Sequence, residues 1–150
     1  MHAARTLRVG GPCAGRELEL DAAALAAVPA EHQVPDVGAL VRGRAGRAVR
    51  MSALIELARP SAEARFVHVA SEDGGFTANL DLERARAGLL LLYAEGDGPL
   101  PAAHGGPFRL LFADDSADCS VNVKFLAEVQ FVREPGSHTA RCASEPGPPA

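Results

Sequence analysis

The sequence is poor in cysteine and in aromatic residues. Its 150 residues include three cysteines, no tryptophan and one tyrosine, and aromatic residues make up 5% of the chain. Because three is an odd number and no two cysteines have CxxC spacing, the sequence does not predict a disulfide framework. We therefore expect Cys13, Cys119 and Cys142 to be thiols in a reducing compartment.

Long hydrophobic runs are also missing. The longest, Leu89–Ala94, has the length of a strand, whereas a membrane-spanning helix needs about 20 apolar residues. The charged residues that follow Met1 are not succeeded by an apolar run, so the sequence predicts no secretory signal. Together these features predict a cytoplasmic protein with no membrane partner.

An excess of positive charge is absent as well. Fifteen Lys and Arg residues against nineteen Asp and Glu residues leave a net charge of −4, which argues against a nucleic-acid partner. The segment Arg42–Arg50 is an exception, because it carries four arginines and no acid. We favour a solvated loop for this segment. The alternative is a surface that binds an anionic ligand or a nucleic-acid phosphate.

The short motifs of well-known catalytic sites are not found. The sequence has no GxSxG, HExxH, P-loop or Rossmann pattern. Its five histidines are scattered, and none pairs with another at metal-ligand spacing. We therefore assign no catalytic residue and no metal ligand from these motifs.

The sequence is rich in small and medium hydrophobic residues, at 47% of the chain, and this suffices for one packed core. Alternation in Arg65–Ala70 predicts a half-buried strand, and the continuous apolar run Leu89–Tyr93 predicts a strand buried on both faces. Asp21 and Ser52 are predicted N-caps of short helices, and Asp81 is predicted to begin a helical turn that runs to Arg86. Gln33–Val41 is predicted to be extended.

These segments predict an α+β domain in which a mixed β-sheet packs against short helices at its edges. We place this domain at residues 1–133. Residues 134–150 are rich in proline, glycine and serine and nearly lack large apolar side chains. They cannot bury enough surface to offset their ordering entropy, so we predict a disordered tail.

One segment has the composition of an anion-binding loop. His104 and Arg109 bracket Gly105, Gly106 and Pro107. Glycines let a backbone turn tightly and bring N–H groups close to a ligand, while the guanidinium and imidazole groups add donors for a phosphate. On composition alone we favour the alternative, a Gly/Pro turn with a surface histidine and an arginine paired with an aspartate.

Lys124 is a second candidate ligand-binding residue. It lies between Val123 and Phe125, both of which we expect to be buried. A lysine among apolar neighbours usually extends its ammonium group to the surface, and this interpretation is favoured for Lys124 taken alone. The alternative is an ammonium group that binds a ligand.

The order of the segments resembles the molybdopterin-binding domain of the sulfite oxidase family, from about Leu7 to Val132. Its specific parts are Gly98-Pro-Leu-Pro, then His104-Gly-Gly-Pro-Phe-Arg109, and finally Val-Lys-Phe-Leu where the family has Val-Lys-Trp-Leu. The resemblance implies the fold of that family. It also implies that molybdopterin is contacted through its phosphate and pterin by the residues His104, Arg109, Asn122 and Lys124.

The resemblance fails at one position that matters for the metal. The family places its molybdenum-binding cysteine in the segment that corresponds to Val34–Val41, which holds no cysteine here. Asp36 offers only a carboxylate, a harder ligand than a thiolate. We therefore expect a small, stand-alone, degenerate member that binds a phosphate-bearing pterin or another anion without catalysis, and with little molybdenum.

Two alternatives stay open at this point. One is an active molybdoenzyme that holds the metal through the pterin dithiolene alone and transfers an oxygen atom to or from a small oxo-anion or sulfoxide. The other is an accessory module that works with a partner oxidoreductase, with the Arg42–Arg50 segment and the tail as contact surfaces.

Overall fold

The computed structural model describes residues 6–40, 45–72, 75–96, 98–112 and 122–134. The predicted tail lies outside these residues from position 135 onward, as do Cys119, Cys142 and the first part of the arginine-rich segment. In the described ranges, no helix has both the length and the apolar character that a membrane crossing requires.

The described chain folds into short strands and shorter helices. Three α-helices are formed by Ala22–Ala26 (α1), Met51–Ala58 (α2) and Leu82–Gly88 (α3). Single 3₁₀ turns lie at Ala30–His32, Val37–Ala39 and Ala102–His104. The strands β1 to β11 are, in chain order, Leu7–Gly10, Leu18–Leu20, Gln33–Val34, Arg47–Arg50, Phe66–Ser71, Thr77–Asp81, Leu89–Glu95, Gly98–Pro99, Arg109–Phe112, Asn122–Val123 and Leu126–Val132.

The strands form two sheets. The first has the order β2-β1-β11-β5-β6, in which β1 and β11 are parallel and the other neighbours are antiparallel. The second has the order β10-β9-β7-β4-β3 with β8 added beside β7, and its pairs are antiparallel. The predicted α+β class with mixed strand directions is therefore confirmed.

Strand β7 separates two apolar clusters, as expected for a central strand. Leu89 and Leu91 belong to a large cluster that also contains residues of the first sheet and of α2. Leu90 and Leu92 point the other way, because successive side chains of a strand alternate between its faces. The smaller cluster on that second face consists of Val34, Val37, Ala48, Leu90, Leu92, Leu100 and Leu111.

The prediction of an extended segment over Gln33–Val41 is wrong at residues 37–40, and Val41 lies outside the described residues. Strand β3 ends at Val34, and a 3₁₀ turn begins at Val37. The cause is local, because the Asp36 carboxylate accepts a hydrogen bond from the Gly38 N–H at 3.0 Å. An aspartate that bonds the backbone two residues later favours a turn over a strand.

The arginine-rich segment is not a loop in its described second half. Arg47–Arg50 is strand β4, paired with β3 on one side and β7 on the other. Its two central residues, Ala48 and Val49, are fully buried in opposite clusters. With two apolar residues between arginines, the segment is too short to show strand periodicity in the sequence.

Candidate functional site

The predicted anion-binding loop connects β8 to β9 through the turn Ala102–His104. The turn ends at Gly105, whose φ of +89° lies in the left-handed region. The Gly105 N–H donates to the Ala102 carbonyl at 3.0 Å, and the Gly106 N–H donates to the Pro101 carbonyl at 2.9 Å. Both amides are thus used inside the turn. This corrects the expectation that the glycine N–H groups face a ligand.

Gly105 lies between two cationic side chains. A Cβ atom at this position would come within 2.9 Å of Lys124 Cγ and 3.1 Å of Arg109 Cδ. Only glycine lets the backbone approach both side chains this closely. The structure therefore brings the buried Arg109 and the exposed Lys124 against the same glycine, although fourteen residues separate them in the sequence.

Two backbone hydrogen bonds hold the Lys124 region against the loop. The Phe125 N–H donates to the Gly105 carbonyl at 2.7 Å, and the Leu126 N–H donates to the Phe108 carbonyl at 2.8 Å. Phe125 has a φ of 54° and is 39% exposed, contrary to the expectation that it is buried. Its left-handed backbone turns the chain between Lys124 and β11.

Arg109 is a buried residue, at 6% exposure. Its Nη1 donates to the His104 carbonyl oxygen at 2.9 Å. Because Leu111 faces the smaller cluster and strand residues alternate, Arg109 lies on that same face of the second sheet. The guanidinium therefore supports the loop from below and supplies a positive charge under it.

His104 lies on the outside of the loop, with 57% of its side chain exposed. Its Nδ1 is 2.6 Å from Oε1 of Glu95, the last residue of β7. The contact of Glu95 with His104 was not predicted, because Glu95 lies nine positions earlier and no motif in the sequence joins the two residues. The contact places a carboxylate beside the imidazole and fixes the orientation of the ring.

Asn122 lies in β10, opposite Leu111 of β9. The structure thus places its backbone beside the strand that carries Arg109, one residue before Val123 and two before Lys124. The two side chains that pack against Gly105 are those of Arg109 and Lys124, of which Lys124 is exposed. The Arg109 guanidinium also contacts the His104 carbonyl, whereas the His104 imidazole is bonded to Glu95.

A cavity of about 620 Å³ lies on another side of the same loop. Its wall is largely apolar and includes Pro101, Phe108 and Phe125, together with the carboxylates of Asp21 and Glu72. Within the described residues that line it, there is no lysine, arginine or histidine. The cavity is therefore suited to an apolar or neutral group and not to a phosphate.

The segment that corresponds to the family's cysteine-bearing segment contains Val34 and Val37, which lie on the same face of the second sheet as Arg109. Val37 is fully buried in the smaller cluster, and its N–H donates to the Gly46 carbonyl at 2.9 Å. From β9 to β3 the sheet order crosses three strand spacings, a distance of about 14 Å. A ligand that contacts both Arg109 and this segment must be elongated.

Cys13 is placed far from this face. It is 7% exposed, as expected for a small apolar residue, and its N–H donates to the Phe131 carbonyl at 3.0 Å. Phe131 follows Leu126 by five residues along β11, which corresponds to about 17 Å. Cys13 therefore lies near the opposite end of β11 from Gly105 and does not replace a thiolate in the segment that contains Val37.

Comparisons with known proteins agree on the fold. The family described as "Oxidoreductase molybdopterin binding domain" matches residues 3–140. No curated protein sequence matches the chain. The chain is similar to the crystal structure of the sulfane dehydrogenase SoxCD from Paracoccus pantotrophus, with a TM-score of 0.65 and 15% sequence identity. The match covers 87% of this chain and 38% of that one, so the chain spans well under half the length of that structure.

Proposed function

Because the chain belongs to the family of oxidoreductase molybdopterin-binding domains, we propose that it binds the phosphate end of molybdopterin at the loop around Gly105. Membership of the family implies molybdopterin binding. The position of the phosphate and the catalytic status of the chain are parts of the proposal. The observation that carries the proposal is the close approach of the Arg109 and Lys124 side chains to Gly105.

The chemistry of these groups fits a phosphate. Lys124 is exposed and offers three ammonium donors, whereas Arg109 is buried and adds a permanent charge beneath the loop. Charged donors form the stronger hydrogen bonds to phosphate oxygens. The absence of a side chain at Gly105 lets the side chains of Lys124 and Arg109 pack directly against the loop backbone, and His104 is the residue before this glycine. In this proposal Lys124 touches the ligand and Arg109 positions the loop.

The rest of the ligand extends across the second sheet toward the segment Val34–Val41. Molybdopterin is elongated, with its phosphate at one end, its pterin at the other and the dithiolene between them, and a metal held by that dithiolene would supply oxygen-atom transfer. The segment Val34–Val41 contains no cysteine. We infer that this chain supplies no thiolate to the metal and acts as a pterin-binding module.

The test is to produce the full chain in a host that makes the molybdenum cofactor. Pterin would be extracted, oxidised to its fluorescent derivative and quantified against protein, with molybdenum measured by elemental analysis. We expect bound pterin with molybdenum well below one atom per chain. Chain without pterin would contradict the binding proposal, whereas one molybdenum per bound pterin would favour the active oxygen-atom transferase.

A matched pair of variants locates the phosphate. Lys124→Ala removes an exposed ammonium beside Gly105, and Arg133→Ala removes an exposed cation beyond the other end of β11. We expect Lys124→Ala to lower pterin content about tenfold, the cost of losing one charge-assisted hydrogen bond, and Arg133→Ala to leave it unchanged. Equal losses in both variants would mean that only general positive charge matters.

A further inference from the structure

A cluster of metal-ligating side chains lies beside β3. This strand forms the edge of the second sheet that is farther from β9. Glu31 and His32 belong to the 3₁₀ turn before β3, and Glu56 lies on α2. One nitrogen or oxygen atom from each of these residues lies within 4.8 Å of the other two. We propose that Glu31, His32 and Glu56 bind a divalent cation of the zinc class. This proposal is independent of pterin binding.

The strongest observation is the state of the His32 ring. The side chain is 9% exposed, and its Nε2 is the one buried side-chain nitrogen or oxygen in the described chain that has no hydrogen-bond partner. Nearly all buried polar atoms in proteins are hydrogen-bonded, so such an atom calls for an explanation. Here Nε2 is aimed between Glu31 Oε2 at 3.4 Å and Glu56 Oε1 at 3.2 Å.

These two distances match those between ligands of a tetrahedral metal ion. With zinc–ligand bonds of about 2.0–2.1 Å, two ligand atoms in a tetrahedral site lie about 3.3–3.4 Å apart. The glutamate side chains are 72% and 65% exposed, so they can rotate to bring their oxygens to the same ion without disturbing the core. In this proposal a water molecule from the solvent would be the fourth ligand.

The surroundings of His32 orient its ring as a metal ligand requires. Its Nδ1 lies 3.0 Å from the Ser52 hydroxyl. A histidine that binds a metal through Nε2 carries its proton on Nδ1 and donates it to a neighbouring acceptor, which fixes the ring. This contact also accounts for Ser52, which was predicted to cap α2 but instead lies inside the helix, after Met51.

The backbone that carries the ligands is also held in place. The Gln33 side-chain Nε2 donates to the carbonyls of Leu25 at 2.8 Å and Val28 at 3.1 Å, and its Oε1 accepts from the Tyr93 hydroxyl at 2.8 Å. A site whose ligands are already positioned loses less entropy when the ion binds. The ion would join the segment before β3 to α2 and so act as a structural clip.

The ligand set selects the kind of ion. One imidazole nitrogen and two carboxylate oxygens suit zinc and the neighbouring transition metals, whereas calcium and magnesium prefer sites made of oxygen alone. The competing explanation is a protonated His32 that pairs with both carboxylates and binds no metal. The two explanations differ in whether the metal-free chain takes up zinc.

The test uses the full chain, treated with EDTA, dialysed and kept reduced with a phosphine. Calorimetric titration with zinc chloride is expected to show one ion per chain. Cobalt substitution is expected to give a visible spectrum without a thiolate charge-transfer band, since no cysteine belongs to the cluster. Saturating zinc is also expected to raise the melting temperature, because a ligand that binds the folded state stabilises it.

Variants assign the ion to the cluster. We expect Glu56→Gln and Glu31→Gln to weaken zinc binding by about 100-fold, and Ser52→Ala by about 10-fold, as for a residue that orients a ligand. Glu63→Gln, an exposed glutamate in the loop after α2, and His104→Gln serve as controls and should bind zinc as the parent does. Circular dichroism of each metal-free variant checks its fold.

Three results would overturn the proposal. The first is that the chain does not bind zinc at millimolar concentration. The second is that Glu56→Gln and Glu31→Gln bind zinc as tightly as the parent does, and the third is that the cobalt complex shows thiolate ligation. Because both glutamates are exposed, their replacement should not prevent folding, so the test holds even where a variant of His32 does not fold.

Discussion

At the scale of single residues, His104, Arg109 and Lys124 differ more than their shared proximity suggests. Arg109 is buried and donates to the loop backbone, Lys124 is exposed, and His104 is oriented by Glu95. The residue types alone predicted cationic donors for an anion, but not which of them support the loop and which face solvent. That division depends on strand pairing, which decides the face on which each side chain lies.

Substitutions at Gly105 and Gly96 separate two contributions to the free energy of unfolding: the cost of a left-handed backbone and the cost of steric overlap with neighbouring side chains. Both have a positive φ, +89° and +61°, but a Cβ atom would meet Lys124 and Arg109 at Gly105 and nothing within 4 Å at Gly96. Gly96→Ala should lower the free energy of unfolding by about 1 kcal/mol, the cost of a left-handed alanine. Gly105→Ala should cost about 2 kcal/mol or more, because steric overlap is added.

Urea denaturation of the two variants and the parent would measure both costs. Circular dichroism gives the midpoint, and an unchanged slope shows that the change lies in stability. If Gly105→Ala costs no more than Gly96→Ala, the two cationic side chains move aside freely and the close approach at Gly105 has no energetic meaning.

At the scale of elements, the helix N-termini show which local signals are reliable. Asp21 caps α1 by accepting from the Ala24 N–H at 2.8 Å, and Asp81 caps α3 by accepting from the N–H groups of Glu83 and Arg84. Both aspartates were predicted to begin helices. Ser52 was predicted on the same grounds and is wrong, because the residue at the N-cap position is Arg50, which has no side-chain capping bond.

The cap of α3 can be tested with two substitutions. Asp81→Ala removes both acceptor contacts and should lower the free energy of unfolding by about 1 kcal/mol, whereas Asp81→Asn keeps an oxygen acceptor and should cost less than half of that. Thermal or urea denaturation would rank the variants. Equal losses would show that the negative charge stabilises the helix end, and not the hydrogen bonds.

At the scale of the whole molecule, the second sheet divides the apolar interior unequally. Leu91 is fully buried in the large cluster between the sheets, and Leu90 is fully buried in the smaller cluster on the other face. The two residues are neighbours on β7 and have the same side chain. They therefore compare the two clusters with the residue type and the strand held constant.

We expect Leu91→Ala to lower the free energy of unfolding by about 4–5 kcal/mol and Leu90→Ala by about 2–3 kcal/mol, within the range for leucine truncation in cores. The cavity at Leu91 is surrounded by two sheets and a helix and cannot collapse, whereas the smaller cluster has room to adjust. Urea titration measures both. A larger cost at Leu90 would reverse the assignment of the main core.

The part of the fold that was predictable is the part encoded by neighbouring residues. Apolar runs and aspartate caps predicted β7, α1 and α3, because the signal lies within a few residues of the element. Strand β4 was missed, since its apolar centre is two residues long, and the parallel pair β1–β11 has no local signal. For the same reason His32 and Glu56 were not linked, because they meet only after α2 packs against the turn that precedes β3.

The amino-acid sequence by itself determined the class of the domain, the family resemblance, the loop with two glycines and the lack of a cysteine in Val34–Val41, since each of these is a property of residue identity and order. The tertiary structure alone decided that Lys124 meets Arg109 at Gly105, that the glycine amides are already bonded, and that Glu31, His32 and Glu56 converge. The physical reason is that such contacts join residues distant in sequence, and strand pairing and burial select them.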